Sequence, residues 1–270
     1  MSHLGCSAST LRTADLCTRV AAAAAAGFTG IGLRVGDYLD AGLPDERIRD
    51  LLDEHGVRVL ELEHNWDWAL GTDPVEEVLF RLADRIGVRH LNVPMFEAHP
   101  LADLVEPFGA LCDRAADHGV LVGFEFLPYS HVRTLGEVWR VVAEADRPGG
   151  GITLDLWHWF RSGAVPADLD GIPAEAITAV QLCDVRPEPD ANLTEEARHR
   201  RLLPGQGAGD TGAVLGALRD RGVTAPVSVE VFSDDLDARP AADAARLAFA
   251  AGAGVLDRAG WEAPTWTVNR

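Results

Sequence analysis

Gly151-Ile152-Thr153-Leu154-Asp155-Leu156-Trp157-His158 is the stretch that decides the fold. Ile152, Thr153 and Leu154 form a short apolar run rich in β-branched residues, preceded by Gly149, Gly150 and Gly151, which is the pattern of a buried strand after a turn. The run stops at a carboxylate, and an imidazole follows three residues later. A charge is costly on a strand covered on both faces, so Asp155 belongs where the strand leaves the core. The same punctuation recurs along the chain. Val120-Leu121-Val122-Gly123-Phe124 ends at Glu125, Ile177-Thr178-Ala179-Val180 at Gln181, and Val227-Ser228-Val229 at Glu230. In a barrel of parallel strands all carboxyl ends open onto one face, so these oxygen-bearing side chains converge there. Three carboxylates at one place repel each other unless a cation lies between them, and oxygen ligands suit a hard divalent ion, Mn or Mg. Any single strand-end acid is more often a solvated loop residue or a helix N-cap. The repetition carries the inference.

Toward the N-terminus, Thr134–Ala145 is a helix stopped by Pro148 and the glycines, and Leu101–Asp117 is another, ending before Gly119. Arg89–Pro94 is a strand. Pro74 starts a helix whose apolar stripe is Val75, Val78, Leu79, Leu82 and Ile86. Val57–Leu62 is a strand with a decorated far end: Glu61, Glu63, His64, Asn65, Trp66, Asp67 and Trp68. Before it come an amphipathic helix, Pro44–His55, a strand, Gly30–Val35, and a helix through Ala21–Ala26 capped by Thr13 or Asp15 and stopped by Gly27. Cys6 closes a first short strand. On the C-terminal side, a polar insert, Asp184–Gly209, follows Gln181; a helix, Asp210–Arg221, precedes the strand ending at Glu230; Ala241–Ala259 is the last helix. Eight such β–α repeats, with no Pro-, Gly- or Ser-rich linker, predict an α/β protein, a single (β/α)8 TIM barrel over 1–260 with a tail, 261–270.

The 270 residues are 47% hydrophobic, ample for such a core, and 24% charged. A formal net charge of −18 disfavours phosphate backbones and anionic membranes as partners, so neither nucleic acid nor membrane is expected. Met1-Ser2-His3-Leu4-Gly5 lacks the basic segment and apolar core of a secretory signal, and the alanine run is far too short to span a bilayer. Cys6, Cys17, Cys112 and Cys183 form no CxxC pair and read as free buried thiols, which implies a reducing, cytoplasmic setting.

Nearly the whole chain resembles the sugar phosphate isomerase/epimerase group of the xylose isomerase-like TIM barrels, in the AP endonuclease 2 superfamily. The likeness rests on Gly-Phe-Glu-Phe around Glu125, Asp155-x-x-His158, Val-Gln-Leu-Cys-Asp at 180–184, Arg-Leu-Leu-Pro-Gly-Gln-Gly at 201–207 and Val-Glu-Val around Glu230. It implies that Glu125, Asp155, Gln181 and Glu230 bind one divalent metal, and that Glu125 and Glu230 work as acid and base on opposite sides of the substrate. A metal-stabilised enediolate then passes a proton, giving isomerisation or epimerisation of a sugar, cyclic polyol or keto-sugar. The chain departs from the group at three places. Gln181 stands where the epimerases commonly have histidine, and this harder ligand favours Mn or Mg while Co or Zn remains compatible. Pro-Gly-Gln-Gly replaces Pro-Gly-Glu-Gly, and Gly32 stands where strand two often carries a glutamate. Glutamine at 181 resembles the 3-dehydroshikimate dehydratases, which keeps a metal-dependent lyase of a cyclic keto-acid or keto-inositol as the alternative. A DNA endonuclease of the superfamily is disfavoured by the charge and by the lack of a histidine-rich site.

His158 is expected beside the metal, as an acid or a hydrogen-bond donor to substrate; its other reading is a helix-start histidine packed between Trp157 and Trp159. His64, Arg201 and Trp157 are the candidates for substrate contact, with Glu63, Arg200, Asp184 and Arg186 weaker. Trp66, Trp68, Trp157 and Trp159 could wall the site, whereas Phe126 and Phe232 read as packing. The expected partner is a small carbohydrate or cyclic keto-acid, without phosphate because no Gly-rich cradle stands out, and a homo-oligomer is compatible with the sequence.

Overall fold

The structure, a computed structural model, describes residues 3–71 and 73–262. Eight strands, β1 (Leu4–Cys6), β2 (Gly30–Arg34), β3 (Arg58–Glu63), β4 (Val88–Val93), β5 (Leu121–Glu125), β6 (Gly150–Asp155), β7 (Ile177–Leu182) and β8 (Val227–Val229), close in sequence order. Every neighbouring pair is parallel, including β1 with β8. The chain between strands supplies α1 (Leu16–Ala26), α2 (Val35–Ala41), α3 (Asp45–His55), α4 (Val75–Ile86), α5 (Leu101–Ala116), α6 (Leu135–Ala145), α7 (Leu156–Ser162), α8 (Leu193–His199), α9 (Thr211–Asp220), α10 (Asp234–Asp237) and α11 (Ala241–Ala259). This is the predicted (β/α)8 TIM barrel.

Local chemistry sets these boundaries. The Asp15 side chain accepts from Thr18 N–H at 2.9 Å to start α1, and Gly27, at φ 109°, closes it in a left-handed conformation that a β-carbon would oppose. Thr134 and Glu137 form a reciprocal capping box on α6. Between the strands and the helices lies a continuous apolar layer in which Trp68, Phe108 and Phe124 pack with ring centroids 5.1–6.0 Å apart.

Three expectations are corrected. Val35 begins α2 instead of ending β2. The polar insert contains α8, started by Asn192 and flanked by Glu195 and Glu196 in its first turn and Arg198 and His199 in its last. Its stability comes from capping and charge placement, so hydrophobic period does not reveal it. Cys17 is exposed, whereas Cys6, Cys112 and Cys183 are buried free thiols. Of the expected tail, Trp261 is buried in the core, and residues beyond Glu262 lie outside those described. No described helix is long and apolar enough to cross a membrane.

Candidate active site

The strand-end residues gather at the carboxyl end of the barrel. Glu125 ends β5, Asp155 ends β6, Gln181 is the penultimate residue of β7 and Glu230 follows β8; none is more than 5% exposed. Glu125 and Glu230, with His158, Arg201, His64 and Tyr129, help to line a cavity of about 900 Å³, whereas Asp155 and Gln181 are fully buried.

The spacing of Asp155 and His158 has a structural cause. Asp155 Oδ1 accepts the His158 backbone N–H at 2.9 Å and caps α7, which turns the imidazole so that Nε2 lies 3.3 Å from Glu125 Oε1. Ligand atoms of Glu125, Asp155 and His158 lie within 4.8 Å of one another. His158 Nδ1 is buried without a partner.

Arg201, 3% exposed, provides a cation among these acids. Its Nη1 donates to Asp155 Oδ2 at 2.6 Å and to Glu230 Oε2 at 3.1 Å, while Nε donates to Ala197 O at 2.8 Å. The guanidinium lies 5.5 Å from the Trp157 ring centroid and 4.8 Å from that of Phe232. Burial opposes the Arg201 charge, yet Asp155 and the other acids around it carry its pKa well above the ordinary value. Burial would likewise raise Asp155, but Arg201 and His158 hold it below the usual carboxylate range. Glu230 goes the other way: burial, reinforced by Glu63 and Asp155, pushes it well up against the pull of Arg201.

The motifs flanking the insert act as a clasp for Arg201. Asp184 Oδ1 accepts from Val185 N–H and Gly209 N–H at 2.8 and 2.9 Å, and Oδ2 accepts from Gly207 N–H at 2.9 Å. Asp184 also bridges Leu202 in antiparallel register. A β-carbon at Gly207 would fall 2.2 Å from Val185 O, so this loop closes only around glycine. Asp184, a weak site candidate by sequence, thus anchors the backbone that delivers Arg201.

A second group of polar residues, of which only the decorated end of β3 was legible in the sequence, lies at β1 to β4. Ser7 Oγ is 2.9 Å from Glu230 Oε1 and 3.0 Å from Glu63 Oε1. Arg34 Nε donates to Glu63 Oε2 at 3.1 Å. Although burial alone would raise it, Arg34 and His64 hold the Glu63 carboxyl at about 2. Asn92 Nδ2 donates to Glu125 Oε2 at 3.0 Å. Gln181 Nε2 donates to Glu61 Oε2 at 3.1 Å and to Glu230 Oε1 at 3.3 Å, leaving Gln181 Oε1 buried with no donor. An unpartnered amide oxygen among carboxylates fits a hard cation and is otherwise costly.

Of the four tryptophans read as a wall, only Trp66 reaches the cavity; Trp68, Trp157 and Trp159 are buried in the packing layer. Trp157 lies behind Arg201. Trp66 extends the cavity lip with Phe96, 5.1 Å between centroids, and lies tilted against His64 at 4.4 Å. Phe232 also lines the cavity, whereas Phe126 is packed away as expected. Arg200 pairs with Asp190 at the surface, and Arg186 does so at 3.5 Å.

The closed barrel matches a known family, whose model covers residues 20–252. The chain belongs to the xylose isomerase-like TIM barrel family. It is 30% identical to a 3-dehydroshikimate dehydratase of Pseudomonas putida over 246 residues, 82% of this chain; that relative is much longer, and the match spans 37% of it. It is also 30% identical to an inosose isomerase of Halalkalibacterium halodurans over 156 residues, 53% of this chain and 54% of that protein. The solved structure of an IOLI protein with a bound zinc atom superposes with a TM-score of 0.85 at 22% identity, over 96% of this chain and 99% of that one, which shows the shared fold. The named relatives are enzymes of two classes, a dehydratase and an isomerase.

Proposed function

We propose that this chain is a divalent-metal-dependent isomerase or epimerase of a sugar, cyclic polyol or keto-sugar, acting by proton transfer at the carbon beside a carbonyl. The observation that carries the metal dependence is Gln181 Oε1, a buried acceptor without a donor on a strand whose neighbours deliver Asp155 and Glu230. Glu125, Asp155, Gln181 and Glu230 would hold one ion, Mn or Mg by the hardness of the oxygen set, with Co or Zn also compatible. When bound, the ion supplies Lewis-acid stabilisation of the charge that develops on the substrate oxygen.

The chain's own groups do the rest. Glu125 and Glu230 stand three strands apart around the ring and act as base and acid. Return of the proton to the same carbon from the other side inverts it; return to the neighbouring carbon isomerises. Asn92 steadies Glu125, and Ser7 steadies Glu230. His158, beside Glu125, donates to a substrate oxygen. Arg201 and His64 contact substrate oxygens, with Trp157 supporting the Arg201 plane, and Trp66, Phe96 and Tyr129 form an aromatic lip.

A second reading is dehydration of a cyclic keto-acid or keto-inositol, as a 3-dehydroshikimate dehydratase would perform. Glutamine at 181 and the identity to the Pseudomonas putida relative favour it. So does Arg198, exposed on the cavity wall with no ion-pair partner among the described residues, which suits a substrate carboxylate. Here loss of a proton is followed by expulsion of a β-hydroxyl, with His158 as its acid.

Incubation of the Mn-loaded protein in D2O with ketoses, inososes and 3-dehydroshikimate tests both readings. Deuterium incorporation with changed optical rotation and no loss of water supports the first. Loss of water with new ultraviolet absorbance supports the second. No exchange and no product with any of them contradicts both.

A further inference from the structure

We infer that Glu61, held by His90, is a positioning residue that selects which end of the Gln181 amide faces the cation. This rests on the metal-binding reading above. A glutamine amide has a donor end and an acceptor end of nearly equal size, and only the oxygen can ligate a cation. Packing alone does not choose between the two ends; hydrogen-bonding neighbours must. Here the choice falls to two carboxyl groups on the Nε2 side, Glu61 Oε2 at 3.1 Å and Glu230 Oε1 at 3.3 Å.

The two are not equivalent. Glu230 Oε1 is shared with Ser7 at 2.9 Å and Ser9 at 3.4 Å, and its other oxygen is taken by Arg201. Glu230 is also a candidate ligand and acid–base group, so it does not serve as a fixed marker. Glu61 lies deeper, with a ligand atom within 4.8 Å of those of Glu63 and Glu230. It is 1% exposed, does not line the cavity, and its Oε2 lies 3.3 Å from His90 Nε2, itself fully buried and paired in register across β3 and β4. Gly32 leaves the room it needs, since a β-carbon there would stand 3.2 Å from Glu61 Oε1. A chain with glutamine at this ligand position therefore depends on a deeper acceptor to aim it, and Glu61 is that acceptor.

The test is a double-mutant cycle on Mn²⁺ affinity, measured by calorimetric titration of the chelator-stripped full chain: wild type, Glu61→Met, Gln181→Ala and the double variant. Glu61→Met is expected to weaken Mn²⁺ binding about 10- to 100-fold, the usual range for loss of an outer partner of a metal ligand. In the Gln181→Ala background, where no amide remains to be aimed, the loss should be about tenfold smaller. Equal losses in both backgrounds, or none in either, overturn the inference while leaving the ligand reading intact. Equal Mn²⁺ binding by wild type and Gln181→Ala, or none by either, overturns the ligand reading and the inference with it. Thermal melts check folding; should Glu61→Met not fold, the same cycle with Glu61→Leu, which likewise offers no acceptor, decides on the same criterion.

Discussion

The two halves of the barrel mouth place their polar groups at different depths. On β5 to β8 each strand is apolar until its last residues and then presents Glu125, Asp155, Gln181 or Glu230 at the rim. On β3 and β4, Glu61 and His90 sit side by side within the strands, a layer below. In the rim half Glu125 and Glu230 line the cavity and are suited to touch substrate; the deeper half touches the rim half and is suited to aim it. Charge compensation differs too: Arg201 arrives from the insert to meet Asp155 and Glu230, whereas Arg34 meets Glu63 from the neighbouring strand.

The largest expected effect separates rim from depth. Glu125→Gln and Glu230→Gln should each lower turnover about 10²- to 10⁴-fold, as for loss of a general acid or base. Glu61→Gln at saturating Mn²⁺ should stay within about tenfold of wild type, because an aiming group acts through metal affinity. Steady-state assays on the active substrate check this, and an equal fall in Glu61→Gln at saturating metal would erase the distinction.

Next is Arg201. Arg201→Met leaves Asp155 and Glu230 buried without their cation, and should cost about 3–5 kcal/mol in metal-free protein. Excess Mn²⁺ should recover part of it by binding the native state alone. Urea titrations with and without Mn²⁺ measure both numbers; a loss indifferent to metal would show that Arg201 and the ion do not share the same acids.

The acid response sharpens the contrast between Glu61 and Glu63. Glu63 is held at about 2, below its ordinary 4.5, so its stabilisation is present above pH 4.5 and is lost as pH falls toward 2. Burial, with Glu63 and Glu230 adding to it, raises Glu61 well above 4.5. Its protonated form favours the fold below pH 4.5, and that advantage disappears as pH rises. Metal-free Glu63→Gln should therefore flatten the loss of stability between pH 4.5 and 2, whereas Glu61→Gln should gain stability over wild type at neutral pH. Denaturation across pH reads both signs. The smallest effect belongs to the scaffold: Asp15→Ala should cost about 1 kcal/mol through the α1 cap, without altering Mn²⁺ affinity.

This difference in depth also explains what sequence reveals. A carboxylate that interrupts an apolar run, as at Asp155, stands out. Arg58-Val59-Leu60-Glu61-Leu62-Glu63 instead alternates, which marks Glu61 and Glu63 as decoration of the strand's far end without showing that both are buried inside a closed barrel. The eight β–α repeats, the last helix and the four rim residues were legible because period and punctuation act locally. Ser7, Asn92 and His90 were not, because each matters only through a partner far along the chain. Helix α8 escaped because polar caps, without an apolar stripe, define it. Trp157 illustrates the opposite error: its neighbours suggested a site wall, and its place is behind Arg201.

The central claim is that the rim residues hold a divalent ion. Elemental analysis of wild type and Glu230→Gln, each incubated with excess Mn²⁺ and desalted, tests it most directly. One ion per chain in the wild type and a clearly lower content in the variant is the predicted result. No retained metal in either protein, or equal retention in both, would contradict it.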